Sequence, residues 1–170
     1  MLVPLNWLKD FVEINLPLDE LCHRLTMAGL EVVAVREIGA LWDNIYVGKV
    51  LEVCPHPHAR RLTIATVDYG RGDPLSVITG APNIVAGDSG QKVALALVGA
   101  QLYDGHAAEP RLLTLHPMTL RGVRSEGMIC SEKELGLSDE HEGVMILDDE
   151  APVGVPLRDH LGDTVLDLDL

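Results

Sequence analysis

The sequence predicts an α+β protein in which a small five-stranded β-barrel with extra strands is inserted into a discontinuous helix–strand domain. Three observations lead there. Helical periodicity marks residues 4–28 and returns briefly near Leu157, whereas residues 40–150 are short β-rich runs separated by Gly, Pro, Asn and Asp. The chain ends on the alternation Leu166, Asp167, Leu168, Asp169, Leu170, which reads as a half-buried strand in need of a partner sheet. The expected domains are therefore 1–39 with 151–170, and 40–150.

Taken in order, Trp7, Leu8, Phe11 and Val12 form one stripe of a helix that starts after Pro4. A second helix follows Pro17, with Leu18, Leu21, Cys22, Leu25 and Ala28 as its apolar stripe. Asp19 and Glu20 occupy its first turn, where the helix dipole favours acids, and Gly29 is its stop. Leu30 to Val35 reads as a strand, the natural partner of the C-terminal alternation. Gly39 and Ala40 mark the boundary. Candidate strands then run over Tyr46–Val53, Leu62–Val67, Leu75–Thr79, Val93–Val98, Arg111–Leu115, Gly127–Cys130 and Val144–Leu147. So many short strands suit a closed barrel of the OB type, because closure removes exposed edges; a sandwich fits the same pattern. Ser131, Glu134 and Gly136 have the spacing of a capping box and its left-handed stop, predicting one helical turn among the strands. A short helix is expected around Leu157 and Leu161.

At 170 residues, folding should remove roughly 70% of the unfolded chain's accessible surface, so no disulfide or metal staple is required. Cys22, Cys54 and Cys130 are odd in number and lack Cys-x-x-Cys spacing, which fits structural thiols in a reducing, cytoplasmic setting. No signal peptide or spanning apolar run is visible, so no membrane partner is expected. The net charge of −13 is unevenly spread. Residues 1–48 hold three basic and seven acidic side chains, residues 49–124 eight and six, and residues 125–170 two and thirteen. Only the middle segment can face a polyanion without a long-range penalty.

Three blocks carry a resemblance. PLNWLKDFV at 4–12 with LTMAGLEVV at 25–33, VGKVLEVCPHPHARRL at 47–62, and LRGVRSEGMICSEKELGL at 120–137 together resemble the β subunit of bacterial phenylalanyl-tRNA synthetase. GAPN at 80–83 and VGAQL at 98–102 lie in matching order between them. The middle and last blocks are also similar to free-standing tRNA-binding proteins, and the opening helices decide between the two. His58, Arg60 and Arg61 stand where the family more often has Asn, an acid and Lys, which makes this corner more basic. The resemblance implies an amino-terminal segment that supplies an accessory tRNA-binding OB domain to an aminoacyl-tRNA ligase. It implies tRNA as partner, an α subunit in an α2β2 heterotetramer, and ATP with Mg²⁺ used by the whole enzyme. No catalytic residue and no cofactor are expected in this segment.

In such a barrel, cations on one face and its rim loops neutralise phosphates while flat groups stack on bases. Arg60, Arg61, Arg121 and Arg124 are the expected cations, with Lys92 a weaker addition. The bland alternative for each is a solvated surface charge. Ser125 and Met128 flank Gly127 in the third block, where a hydroxyl can donate to phosphate or ribose; the alternative is a tight barrel corner. Asn83 is a candidate contact, though a turn former by type. Tyr46, Tyr69, Tyr103 and Trp42 are few for stacking, so shape and backbone recognition of folded tRNA is expected. Cys54, His56 and His58 alternate, but Pro55 and Pro57 break a regular strand and no fourth ligand is evident, so no metal is expected. Cys130 lacks the local signature of a nucleophile, and no glycine-rich phosphate loop is present. The alternative functions are a free-standing tRNA-binding protein and, from the acidic total, a structural scaffold within the synthetase.

Overall fold

A computed structural model describes residues 1–170 and divides into two units, Met1–Ala40 with Leu161–Leu170, and Leu41–His160. In the first, β1 (Leu2–Pro4), α1 (Leu5–Lys9), α2 (Leu18–Met27) and β2 (Glu31–Ile38) precede the long middle segment. The chain's last strand, Asp163–Asp169, lies between β1 and β2 and is antiparallel to both. The C-terminal alternation thus finds its partner in the strand after α2. Val3, Leu166 and Leu168 form the buried centre, with Leu8, Leu18, Leu21, Cys22 and Leu25 of the helices packed against it. α2 ends at a left-handed Gly29 (φ 95°), whose N–H donates to Thr26 O while Leu30 N–H donates to Leu25 O. Those two bonds satisfy carbonyls the helix end would otherwise orphan.

The first helix departs from its predicted stripe. α1 spans five residues and is capped at Asp10, so Phe11 and Val12 leave the helical path. Only Leu8 of the four joins the core; Trp7 and Phe11 are 55% and 72% exposed and meet each other edge-on at 5.1 Å.

The second unit is a nearly closed antiparallel barrel built from β3 (Ile45–Pro55), β4 (Thr63–Asp68), β5 (Leu75–Thr79), β6 (Lys92–Leu97) and, after four short strands, Gly127–Ile129. The short strands are β7 (Gln101–Tyr103), β8 (Leu112–Thr114), β9 (Met118–Leu120) and β10 (Val123–Ser125); then come β11 (Gly127–Ile129) and β12 (Ile146–Leu147). The order is β11-β6-β3-β4-β5, with β7-β8 and β9-β10 as separate hairpins. β3 serves two neighbours, pairing with β6 through Ile45–Lys49 and with β4 through Lys49–Pro55. A register shift between Val50 and Glu52 inserts Leu51 as an extra residue. That bulge is why Val50 and Val53, three apart, both point inward, where strict alternation would put one outside. Gly48 leaves room for the close approach of β4: a Cβ there would sit 2.7 Å from Val67 Cγ1.

The core is mostly β-branched, with Val50, Val53, Val67, Val77, Ile84, Val93 and Ile129 around Leu95. Such side chains suit pleated surfaces and contribute roughly 1.5–3 kcal/mol each on full burial, against which stands a chain-ordering entropy of comparable total. Ser131 and Glu134 make the reciprocal capping contacts that their spacing predicts, with Ser131 N–H donating to Glu134 Oε2 at 2.7 Å, although the segment is a run of turns and not a regular helix.

Residues 151–160, placed by sequence with the helix–strand unit, belong to the barrel unit. Val47 N–H donates to Val155 O and Gly154 N–H to Val47 O, both at 2.9 Å, and Ala151 and Leu157 are fully buried. α3 (Leu157–Leu161) and β13 (Asp163–Asp169) complete the chain. No helix is long and apolar enough to cross a membrane.

Candidate nucleic-acid interface

Two stretches of the barrel unit contain arginines and no acid at all: residues 53–67, with Arg60 and Arg61, and residues 110–125, with Arg111, Arg121 and Arg124. In a chain of net charge −13 these are the places where a phosphate meets no carboxylate of its own segment. The fold brings parts of both together. The 56–62 loop between β3 and β4 closes on itself through His56 N–H to Leu62 O at 3.0 Å and Leu62 N–H to Ala59 O at 3.3 Å. Beside it lies the turn of the β9–β10 hairpin. His58, Ala59, Arg60, Arg61, Leu62, Leu120 and Arg121 line one open cleft of about 540 Å³.

Arg121 and Gly122 are the two turn residues, flanked by the Leu120–Val123 pair, and both have positive φ, 48° and 83°. This is the primed turn whose twist matches a two-residue hairpin, and it normally selects Asn-Gly or Gly-Gly. An arginine held left-handed costs of order 1–3 kcal/mol, and such outliers concentrate at functional sites. One face of the Arg121 guanidinium is anchored, donating from Nη1 to His58 O at 2.7 Å; the residue is otherwise exposed. Arg60 and Arg61 are exposed and no carboxylate of the chain takes up either guanidinium. Arg124 projects from β10 but sits 2.9 Å from Glu126, so its charge is partly spent.

The other sequence candidates have duties inside the protein. Lys92 donates from Nζ to Ala151 O at 2.7 Å and to Asp149 O at 3.1 Å, tying the 148–151 turn to β6. Asn83 clamps Val144 at both ends of its amide, donating to Val144 O at 2.8 Å and accepting from Val144 N–H at 3.0 Å. Ser125 is 4% exposed, accepts from Ile78 N–H and donates to Gly127 O, each at 3.1 Å. It stitches β10 and β11 to β5, across the seam where the barrel has no regular ladder. Met128 is half-buried on β11 beside Ile78 and Thr79. Of the aromatics, Trp42 is buried and donates its indole N–H to Leu135 O at 3.0 Å, and Tyr46 lies under Arg71 at 4.5 Å.

His56 has a structural duty that its sequence neighbours do not signal. It is 5% exposed, and both ring nitrogens are engaged: Nδ1 accepts from His58 N–H at 3.1 Å and Nε2 lies 3.0 Å from Leu120 O. Because a carbonyl only accepts, Nε2 carries the proton and the ring is the neutral Nε2–H tautomer. Neither nitrogen is open to a metal. Cys54 is exposed, its thiol pushed up first by a hydrogen bond with Glu52 and then by desolvation. Cys130 is pushed far above the ordinary thiol range by burial and then by the charge of Glu134, which holds it protonated and unreactive.

A small antiparallel barrel with a cationic loop and turn on one rim has the architecture of an oligonucleotide-binding module. Residues 45–156 match the family model described as "Putative tRNA binding domain", and the chain belongs to that family. Over its whole length it is 49% identical to the phenylalanine–tRNA ligase beta subunit of Dehalococcoides mccartyi, of which it spans 20%. It is 46% identical, over 99% of its length, to the beta subunit of Salinibacter ruber, of which it spans 21%. The chain thus spans about a fifth of the length of the curated relatives it matches. Among solved structures, a MetRS related protein from Pyrococcus horikoshii is similar at 20% identity and a TM-score of 0.45, over 65% of this chain and 85% of that one.

Proposed function

We propose that this chain is the tRNA-facing accessory module of a phenylalanine–tRNA ligase β subunit, holding folded tRNA by its backbone and carrying no catalytic group. The observation that carries the reading is the meeting of Arg60, Arg61 and Arg121 on one acid-free cleft of the barrel. Phosphate contacts of this kind position a polynucleotide without reading its bases, and the lack of a Phe, Tyr or Trp in the lining of that cleft fits the division. Ser125, Lys92 and Asn83 then hold the framework, and Arg124 contributes at reduced charge. The tRNA is the phenylalanine-accepting one, the enzyme is a cytoplasmic α2β2 assembly, and the α subunit supplies the chemistry.

ATP, which that chemistry consumes, and the Mg²⁺ that assists it belong to the α subunit in this reading. The net charge of −13 favours a second reading, a scaffold that scarcely touches RNA. Anisotropy of labelled tRNA titrated with the chain separates the two. The tRNA-facing reading expects a Kd of about 10⁻⁴ to 10⁻⁶ M near physiological salt, tightening steeply as salt falls towards about 50 mM. No binding at low salt would leave the scaffold; nanomolar binding at physiological salt would overturn the backbone-only view.

A further inference from the structure

We infer that His56 is a positioning residue that sets the spacing between the arginine loop and the Arg121–Gly122 turn, so that both engage one run of phosphates. The inference rests on the tRNA-facing reading and adds to it a residue that is 5% exposed and bonded only within the protein.

The β9–β10 hairpin is a two-stranded sheet of its own, and an isolated hairpin is marginal in water. Its turn end is held against the 56–62 loop by two crossed hydrogen bonds. His56 Nε2–H donates to Leu120 O, from loop to hairpin, and Arg121 Nη1–H donates to His58 O, from hairpin to loop. A third bond, His58 N–H to His56 Nδ1, fixes the loop end of that pair. One imidazole therefore reads both parts: Nδ1 sets the local path of the loop and Nε2–H sets the hairpin on it. Pro55 and Pro57 on either side of His56 leave it few backbone alternatives, since each fixes its own φ and restricts the residue before it. The ring is buried while the arginines it aligns are exposed, which is the arrangement of a support and not of a contact.

The two ring nitrogens can be separated by substitution. His56→Gln places an amide NH₂ near the Nε2 position and keeps the bond to Leu120 O. His56→Asn places an amide oxygen near Nδ1, keeps the bond from His58 N–H, and falls short of the hairpin. The measurement is tRNA affinity and its salt slope at a temperature well below the melting point of the least stable variant, together with Arg121→Asn, Arg60→Ala with Arg61→Ala, and the double variant His56→Asn with Arg121→Asn. The expected result is near-wild-type affinity for Gln, a loss of about tenfold for Asn with a slope lower by roughly one phosphate, and a double variant no weaker than Arg121→Asn alone. Equal, wild-type affinity for Asn and Gln while the arginine variants weaken binding would overturn the positioning role and leave the tRNA-facing reading standing. Arginine variants that bind like wild type would overturn that reading, and the positioning role with it.

Discussion

Changing Arg60, Arg61 and Arg124 to Ala and Arg121 to Asn in one chain is expected to flatten the salt dependence of tRNA binding by about 2–3 in the slope of log K against log salt. Each phosphate neutralised contributes about 0.7–0.9 to that slope, and Arg124 counts for less than a full charge because Glu126 lies 2.9 Å away. Asn is the choice at position 121 because the left-handed φ of 48° penalises Ala. Affinity should fall to the level of an acidic protein, undetectable near physiological salt, while the circular dichroism and melting point stay close to wild type, because the four side chains are exposed and the lost Arg121–His58 bond is offset by the relief of a left-handed arginine, a conformation Asn tolerates. An unchanged slope would place the tRNA elsewhere on the chain.

Gly127→Ala should do the opposite, lowering stability and sparing affinity. A Cβ at Gly127 would lie 2.9 Å from Ala96 O on β6, and 3.4 and 3.5 Å from Leu95 and Val77 in the core. The obstacle is backbone on a paired strand, which cannot rotate away, so overpacking of about 1–3 kcal/mol is expected. For a chain of this size that is roughly 2–4 °C of melting point per kcal/mol. Ser125→Ala belongs with it, since it leaves the Ile78 N–H without an acceptor at a cost of about 1–3 kcal/mol. The two sites are neighbours across one seam, so their effects should not add. Loss of tRNA affinity without loss of stability in either variant would return this turn to the ligand-contacting role that its Ser-x-Gly pattern suggests.

Strands were legible wherever alternation and flanking turn residues coincide: Leu75–Thr79 falls at its predicted bounds, and β3, β4 and β6 within a residue or two. β7, β9 and β10 are three residues each and do not show in the pattern, whereas β8 and β11, equally short, are legible because they sit within the apolar runs 111–115 and 127–130. The Trp7 stripe failed because a periodic pattern says nothing of where a helix stops. The cationic rim was visible in composition, since arginine and the lack of acids are properties of sequence alone. What distinguishes Arg60 and Arg61 from Lys92 is not, because a lysine consumed by two carbonyls 57 and 59 residues away looks like any other lysine. His56 was hidden for the same reason. Its partner Leu120 is 64 residues distant, and the nearby Cys54 and His58 drew its chemistry towards metal.

tRNA is expected to meet the barrel at the 56–62 loop and the β9–β10 turn. Hydrogen–deuterium exchange with saturating tRNA at about 50 mM salt, where electrostatic binding is strongest, tests that most directly. Slower exchange confined to amides of 58–62 and 121–124 is the predicted result. Protection falling instead on another part of the barrel, such as the 69–73 turn, with the arginine rim exchanging as in the free chain, would contradict it.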